Sequence, residues 1–412
     1  MEMKFLILGL YIIKEGFEYL VRCLNFRHLK KAGTQAPPEF RGRVDEDLIA
    51  KTVEYEAEKT RFSFLSGAAD NAAAIVFIWG GVLGVYNSWI AGLDLPFAVS
   101  GWLFFLLLFY AGELLDAPFS LYHTFRIENR YGFNTMTPGL WVSDLVKSLL
   151  INSVVISLLA FAGFGLVRWS PLHWWFWVWG FLFAFGIFMM YISPYVIEPL
   201  FNKFAPVEDE ILREKIARMA ERAGIKVSRV LKVDASRRSR HTNAYFTGIG
   251  KTKRIVLYDT LLQGMDHDEI LSVLAHEIGH WKKRHLLKMM AVFEAASFAG
   301  LWAAGRLVRG DALTRMFGID AGTIAAKLVV LGLIAGVVSL PLKAAANYLS
   351  RRHERQADAE SFRLAGGRPM ISALVKLSRE NLSNLNPHPL YVSIYYSHPP
   401  VAERIRDIEA MK

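Results

Sequence analysis

Residues 173–193 read H-W-W-F-W-V-W-G-F-L-F-A-F-G-I-F-M-M-Y-I-S, a stretch without one Asp, Glu, Lys or Arg. A helix rises about 1.5 Å per residue and a bilayer core is about 30 Å thick, so this stretch is long enough to cross a membrane. Working outward, six more stretches qualify, at roughly 4–24, 70–92, 97–115, 145–168, 286–306 and 323–346. The 412-residue chain is 53% apolar and 21% charged, with mean hydropathy +0.25. Those averages conceal an alternation of apolar runs and charged stretches, which a fully soluble chain of this length would not show.

The first run is unusual. Lys4 precedes apolar Phe5 to Ile13 as in a signal peptide, but Lys14 and Glu15 interrupt it and no small-residue cleavage site follows, so a retained span is expected. Lys14, Glu18 and Arg22 recur every fourth residue and share one helical face. Charge facing lipid is costly, so that face should look into the bundle or a water-filled space. Asp70, at the start of the second run, and Glu113 and Asp116, at the end of the third, carry the same hint.

Loop charge orients the bundle. The connection 25–69 carries eight Lys and Arg, whereas Gly92 to Pro96 carries none. The loop 194–285 is rich in basic residues and the tail is basic. An outside N-terminus, with the 25–69 and 194–285 loops and the tail on the cytosolic face of a plasma (inner) membrane, fits. Arg306, Arg309 and Arg315 are a mild exception. The division expected is spans one to five in 1–193, a cytosolic α/β unit in 194–285, spans six and seven in 286–346, and a helical continuation of that unit in 347–412.

Composition also excludes. One cysteine, Cys23, leaves no intrachain disulfide and no cysteine-rich metal site. The net charge of +10 is not interleaved with aromatics, so no nucleic-acid partner is expected.

Within 194–285, Asp209 to Ala223 has helical periodicity and Gly224 is placed to cap it. Ile225 to Val233 reads as a strand. Asn243 to Ile249 and Arg254 to Tyr258 read as a hairpin turning at Gly250 to Lys253. Asp266 with Glu269 three residues on is a capping-box start to the next helix. After the seventh span the helix should continue from Asn347 to Leu364 and stop at Gly366 and Gly367. A shorter helix from Met370 to about Leu382 should follow.

The helix begun at Asp266 carries H-E-I-G-H at 276–280. On a helix, His276 and His280 project from one face about one turn apart and can share one Zn²⁺ per chain. Glu277 cannot share that vector, but it can reach a water in the open metal position and act as general base in peptide hydrolysis. Apolar Leu271, Val273, Leu274 and Ile278 around the polar residues suit a half-buried active helix. A catalytic site needs a third protein ligand. Glu354, in S-R-R-H-E-R-Q-A-D-A-E at 350–360, is the best candidate, with His353 and Asp358 as alternatives. Asp358 shares a face with Glu354 and could instead orient a histidine ring. His285 should lie on a different face from His280. His241 and His398 could touch substrate or a developing oxyanion.

These motifs resemble those of the type I CAAX prenyl endopeptidases, seven-span membrane zinc proteases. Beyond H-E-I-G-H, the chain has I-E-N-R-Y-G-F-N at 127–134, I-E-P-L-F-N-K-F at 197–204, N-A-Y-F-T-G at 243–248, E-R-Q-A-D-A at 354–359 and H-P-P-V-A-E-R at 398–404. The resemblance implies a mainly α fold: seven helices enclosing an intramembrane chamber, capped by a small α/β zinc-peptidase domain. It implies Glu354 as third ligand and Asp358 as its companion behind the ligands. It implies Asn243, Ala244, Tyr245 and Phe246 as an edge strand pairing with substrate, His398 as the oxyanion histidine, and Arg404 as an orienting, substrate-side arginine. His353 and Arg355 flank Glu354 where the family commonly has aromatics, the loop after span six is short, and no C-terminal retrieval signal is evident. These departures bear on the substrate more than on the chemistry, and a prokaryotic-like member is expected. The expected substrate is a peptide or protein at the membrane, lipidated or not, with lipid as the surroundings and a monomer as the assembly. A membrane-protein quality-control protease is the alternative within the class. A seven-span transporter or receptor with structural zinc is the alternative outside it, and a structural site would have no use for Glu277.

Overall fold

A computed structural model describes residues 2–247, 252–319 and 322–411. The apolar runs fold as long helices. They are α1 (Glu2–Ala32), α2 (Glu46–Ile78), α3 (Val82–Ala91), α4 (Phe97–Tyr122), α5 (Pro138–Trp169) and α6 (Trp174–Ile192). The sequence places the second span at 70–92, but its helix begins at Glu46, capped by the Asp45 side chain on the Leu48 amide. It bends by 57° into α3, where Gly81 adopts φ 88°, open to glycine without strain. A π-helical turn, His123–Glu128, extends α4 into the I-E-N-R-Y segment. A second π-turn and the short α7 (Glu198–Phe201) extend α6.

The loop after α6 forms strand β1 (Phe204–Pro206), α8 (Glu210–Arg222), β2 (Lys226–Val233), β3 (Ala244–Thr247), β4 (Thr252–Tyr258), α9 (Asp259–Gly264) and α10 (His267–Lys282). The strands make one sheet in the order β1-β2-β4-β3, with β2 and β4 parallel and the outer pairs antiparallel. The sequence reading missed β1 because it is three residues long. The β3–β4 hairpin is present, while Gly250 and Lys251 of its expected turn lie outside the described residues. Asp266 and Glu269 form the capping box at the start of α10.

Then come α11 (His285–Leu307), α12 (Ala312–Met316), α13 (Ile324–Ala365), α14 (Gly367–Glu380), α15 (Pro389–Tyr395) and α16 (Val401–Glu409). Helix α13 runs for 42 residues, from an apolar first half, through Pro341, into the charged segment that carries Glu354. Gly366 ends it at φ 83°.

Among the described residues, five helices are long and apolar enough to cross a membrane: Phe97–Glu128, Pro138–Trp169, Trp174–Phe201, His285–Leu307 and Ile324–Ala365. Counting the bent α2–α3 pair makes six. Large apolar residues stand exposed on them, among them Leu114 at 76%, Val85 at 73% and Phe293 at 68%. That surface is suited to lipid and unsuited to water. A separate core joins the sheet to the helices: Leu212 and Ile216 of α8, Ile255 and Leu257 of β4, Ile270, Leu274 and Ile278 of α10, and Ala373 of α14. Residues 194–285 and the segment after α13 therefore share one core.

Candidate metal centre

Helices α10 and α13 cross closely enough to bring distant parts of the chain together. Gly279 is the reason: a Cβ there would lie 2.8 Å from the Ala357 Cα and 3.1 Å from its carbonyl oxygen. The contact is tied by the Ser361 hydroxyl donating to the Ser272 carbonyl at 2.7 Å and by Lys282 on Glu360 at 2.9 Å. Residues four apart on α10 then face Glu354 on α13.

One ligand atom from each of His276, His280 and Glu354 lies within 4.8 Å of the others. The two imidazole Nε2 atoms are 3.1 Å apart. Glu354 brings Oε2 to 3.3 Å from His276 Nε2 and Oε1 to 3.1 Å from His280 Nε2. Of the three candidates for the third ligand, Glu354 alone faces both nitrogens. Asp358 stands behind, 2.8 Å from His276 Nδ1. His353 stacks flat on His285, with ring centroids 4.1 Å apart.

These residues fit a metal ion on the structure's own terms. Glu354 is 3% exposed, and its Oε2 is buried without a hydrogen-bond partner. A buried carboxylate oxygen left unpaired costs free energy that a cation among the three groups would recover. Two nitrogens and one carboxylate are the donor set of a catalytic zinc site.

His276 loses basicity to burial, but the Asp358 and Glu354 carboxylates beside it outweigh that and raise its pKa to about 8. Burial raises the Glu277 carboxyl above the usual carboxylate range, while His276 and His280 pull the other way. A base tuned upward suits proton transfer near neutral pH. Arg404, which the resemblance places on the substrate side, is buried instead. Its Nε and one Nη reach the two Asp358 oxygens at 2.9 and 2.6 Å. The guanidinium is spent on fixing Asp358, so Arg404 acts through it.

His398 arrives from the tail, its Nε2 3.4 Å from Glu354 Oε1, with the ring 60% exposed toward the open side. Arg351 holds that tail by donating to the carbonyls of Val392, Ser393 and Tyr396. His241 is drawn elsewhere, between Asn381 and Glu128. Strand β3, with Ala244, Tyr245 and Phe246, is an edge of the sheet. Asn243 precedes it and turns its Oδ1 onto the Ala244 amide. The Tyr245 hydroxyl donates to Glu198 at 2.8 Å.

A second expectation fails. His285 does not point away from His280: the helix breaks at Arg284, which adopts φ 55°, and His285 Nδ1 comes to 3.1 Å from His280 Nδ1. Sequence reasoning assumed an unbroken helix. A second histidine five residues beyond the motif was the available signal.

Known proteins match the chain over nearly its whole length. Residues 25–203 match the family model described as CAAX prenyl protease N-terminal, five membrane helices. Residues 206–412 match peptidase family M48. A CAAX prenyl protease 1 of Saccharomyces cerevisiae is 32% identical, covering 98% of this chain and 95% of the relative. A CAAX prenyl protease 1 homologue of Arabidopsis thaliana is 33% identical, covering 98% and 96%. The crystal structure of S. mikatae Ste24p superposes with a TM-score of 0.92 at 31% identity, covering 98% of both chains. With both halves matched and the fold shared end to end, the chain belongs to peptidase family M48 and is a multi-pass membrane metalloendopeptidase.

Proposed function

We propose that this enzyme is a zinc endopeptidase that cleaves membrane-associated proteins, including those with prenylated-type C-termini such as its relatives' names describe. One zinc ion per chain would be held by His276, His280 and Glu354. The observation that carries the reading is the convergence of these three groups around a buried carboxylate oxygen without a partner.

Bound zinc supplies Lewis acidity, acidifying a water and polarising a peptide carbonyl. Glu277 takes the proton of the attacking water and returns it to the departing amine, which its raised pKa favours. His398, exposed beside Glu354, donates to the developing oxyanion. Asp358 accepts from His276 Nδ1 and so turns Nε2 toward the metal, and Arg404 keeps Asp358 ionised and in place. The free edge of β3, with Asn243 at its head, pairs with an extended substrate segment.

Seven spans are part of the proposal, with α1 and the α2–α3 pair joining, around an intramembrane chamber, the five helices that are each long and apolar enough to cross alone. Support comes from α1, whose charges find polar partners. Glu18 receives Lys14 at 2.8 Å and the Tyr395 hydroxyl at 3.1 Å, and Asn71 donates to Glu15 at 3.2 Å. The peptidase layer caps the chamber on the cytosolic face of the plasma (inner) membrane, which the basic 25–69 and 194–285 loops support. A monomer suffices, since one chain supplies every group named.

Glu277→Gln tests the reading. Hydrolysis of a reporter peptide should fall by about 10²–10⁴-fold while zinc content stays near one per chain. Hydrolysis at the original rate would remove Glu277 from its role.

A further inference from the structure

We propose that His285 and Gln356 are positioning residues that fix the tautomer of His280, and through it the affinity of the metal centre. The proposal rests on His276, His280 and Glu354 holding the metal.

Five residues along an unbroken helix would turn a side chain about 140° away from its starting direction. The left-handed residue Arg284 cancels that turn and brings His285 back against the ligand. Its ring is 3% exposed. One nitrogen, Nδ1, faces His280 Nδ1 at 3.1 Å, and the other, Nε2, faces Gln356 Oε1 at 3.0 Å. His353 lies flat against it, the rings 9° from parallel, which limits rotation.

A neutral imidazole carries one hydrogen, so one nitrogen donates and the other accepts. An amide oxygen only accepts. His285 therefore keeps its hydrogen on Nε2, toward Gln356, and offers a lone pair at Nδ1. His280 must then donate from its own Nδ1, leaving Nε2 bare. That bare atom is the one facing His276 Nε2 and Glu354 Oε1, both at 3.1 Å. Asp358 does the same for His276. The two ligand histidines thus turn lone pairs onto one point, an arrangement a cation rewards. The two supports differ: His276 rests on a carboxylate, itself clamped by Arg404, whereas His280 rests on a neutral chain ending in an amide at the protein surface. Turning that amide over would reverse the relay and put a hydrogen on the ligating nitrogen. Gln356 is therefore the adjustable end of the site.

The test uses the full chain in detergent, stripped of metal and titrated with zinc against a chelator of known affinity. Thermal midpoints are read with and without zinc. His285→Phe keeps the stacking on His353 and loses the acceptor. Gln356→Leu, at an exposed position, loses the far end of the relay without touching the core. Both should weaken zinc binding by about 10–100-fold, the usual loss when a ligand's outer partner is removed. Both should shrink the zinc-induced rise in midpoint while leaving the metal-free midpoint in place. Gln356→Glu can only accept, and should bind zinc at least as tightly as the original chain. Unchanged affinity in Gln356→Leu and His285→Phe, with the original chain binding one zinc, overturns the relay. A fall in affinity matched by an equal fall in the metal-free midpoint overturns it too, because the role would then be structural. Failure of the original chain to take up zinc would instead sink the metal-site reading.

Discussion

Replacing Gly279 with alanine should uncouple zinc binding from overall stability. The added Cβ would stand 2.8 Å from Ala357 Cα, 3.1 Å from its carbonyl oxygen and 3.1 Å from Glu360 Cβ. Carbon atoms rest about 3.5–4.0 Å apart, so α10 and α13 must separate by ~1 Å. Overpacking of this kind costs ~1–3 kcal/mol, and alanine returns up to ~1 kcal/mol through helix propensity. The net destabilisation is therefore ~0–3 kcal/mol, less than the roughly 5–15 kcal/mol that holds a typical fold. The ligand set has no such tolerance. Glu354 lies one turn from Ala357 on the same helix, and metal distances are held to about ±0.2 Å. A carboxylate displaced by ~1 Å should weaken zinc by at least the ~10–100-fold seen when a ligand loses its orientation. Chelator competition measures the affinity and a thermal melt the stability. Gly300→Ala in α11 is the control, since a Cβ there meets nothing within 4 Å. Unchanged zinc affinity in Gly279→Ala would refute the claim that helix spacing sets the third ligand.

Arg404→Met should lower the metal-free thermal midpoint by the equivalent of ~3–5 kcal/mol, because it strands the Asp358 carboxylate without its charge partner; Arg404→Lys should fall between, and an unchanged midpoint would argue against the clamp. His276 is raised to about 8 in the folded chain, against about 6.5 unfolded. The metal-free chain should thus hold ~2 kcal/mol of extra stability below pH 6.5 and lose it as pH rises through about 8. Zinc affinity should climb over the same window, since metal displaces that proton, and a flat profile between pH 6 and 9 would contradict this. In a Cys23→Ser background, cysteines at Lys51 and Arg218 should label from the inner side and one at Asp94 from the outer; the opposite pattern reverses the orientation.

The elements legible in the sequence were those with local causes. The capping box at Asp266 and Glu269, the stop at Gly366, and the His276–His280 pair follow from spacing within a turn or two. The uncharged run 173–193 needed only its length. Errors arose where a distant partner or one dihedral decides. The helix from Glu46 carries charges that obscure its continuity with the apolar run beyond Asp70. Arg284 in a left-handed conformation broke a helix that periodicity had carried straight through. Spacing alone favoured Glu354 as third ligand but left His353 and Asp358 open, because the packing of α10 against α13 selects among them. The resemblance put Arg404 beside the substrate, but its burial on Asp358 is visible only once α16 is packed.

Helix α13 makes Glu354, the proposed third ligand, and the last apolar span parts of one rod. From Pro341 to Glu354 it extends about 20 Å at 1.5 Å per residue. A tilt of about 5° at that proline would swing the carboxylate by ~2 Å, ten times what a coordination bond allows. Spans adjust their tilt to bilayer thickness. Activity should therefore vary with the acyl-chain length of the surrounding lipid, making the enzyme a gauge of the membrane it works in.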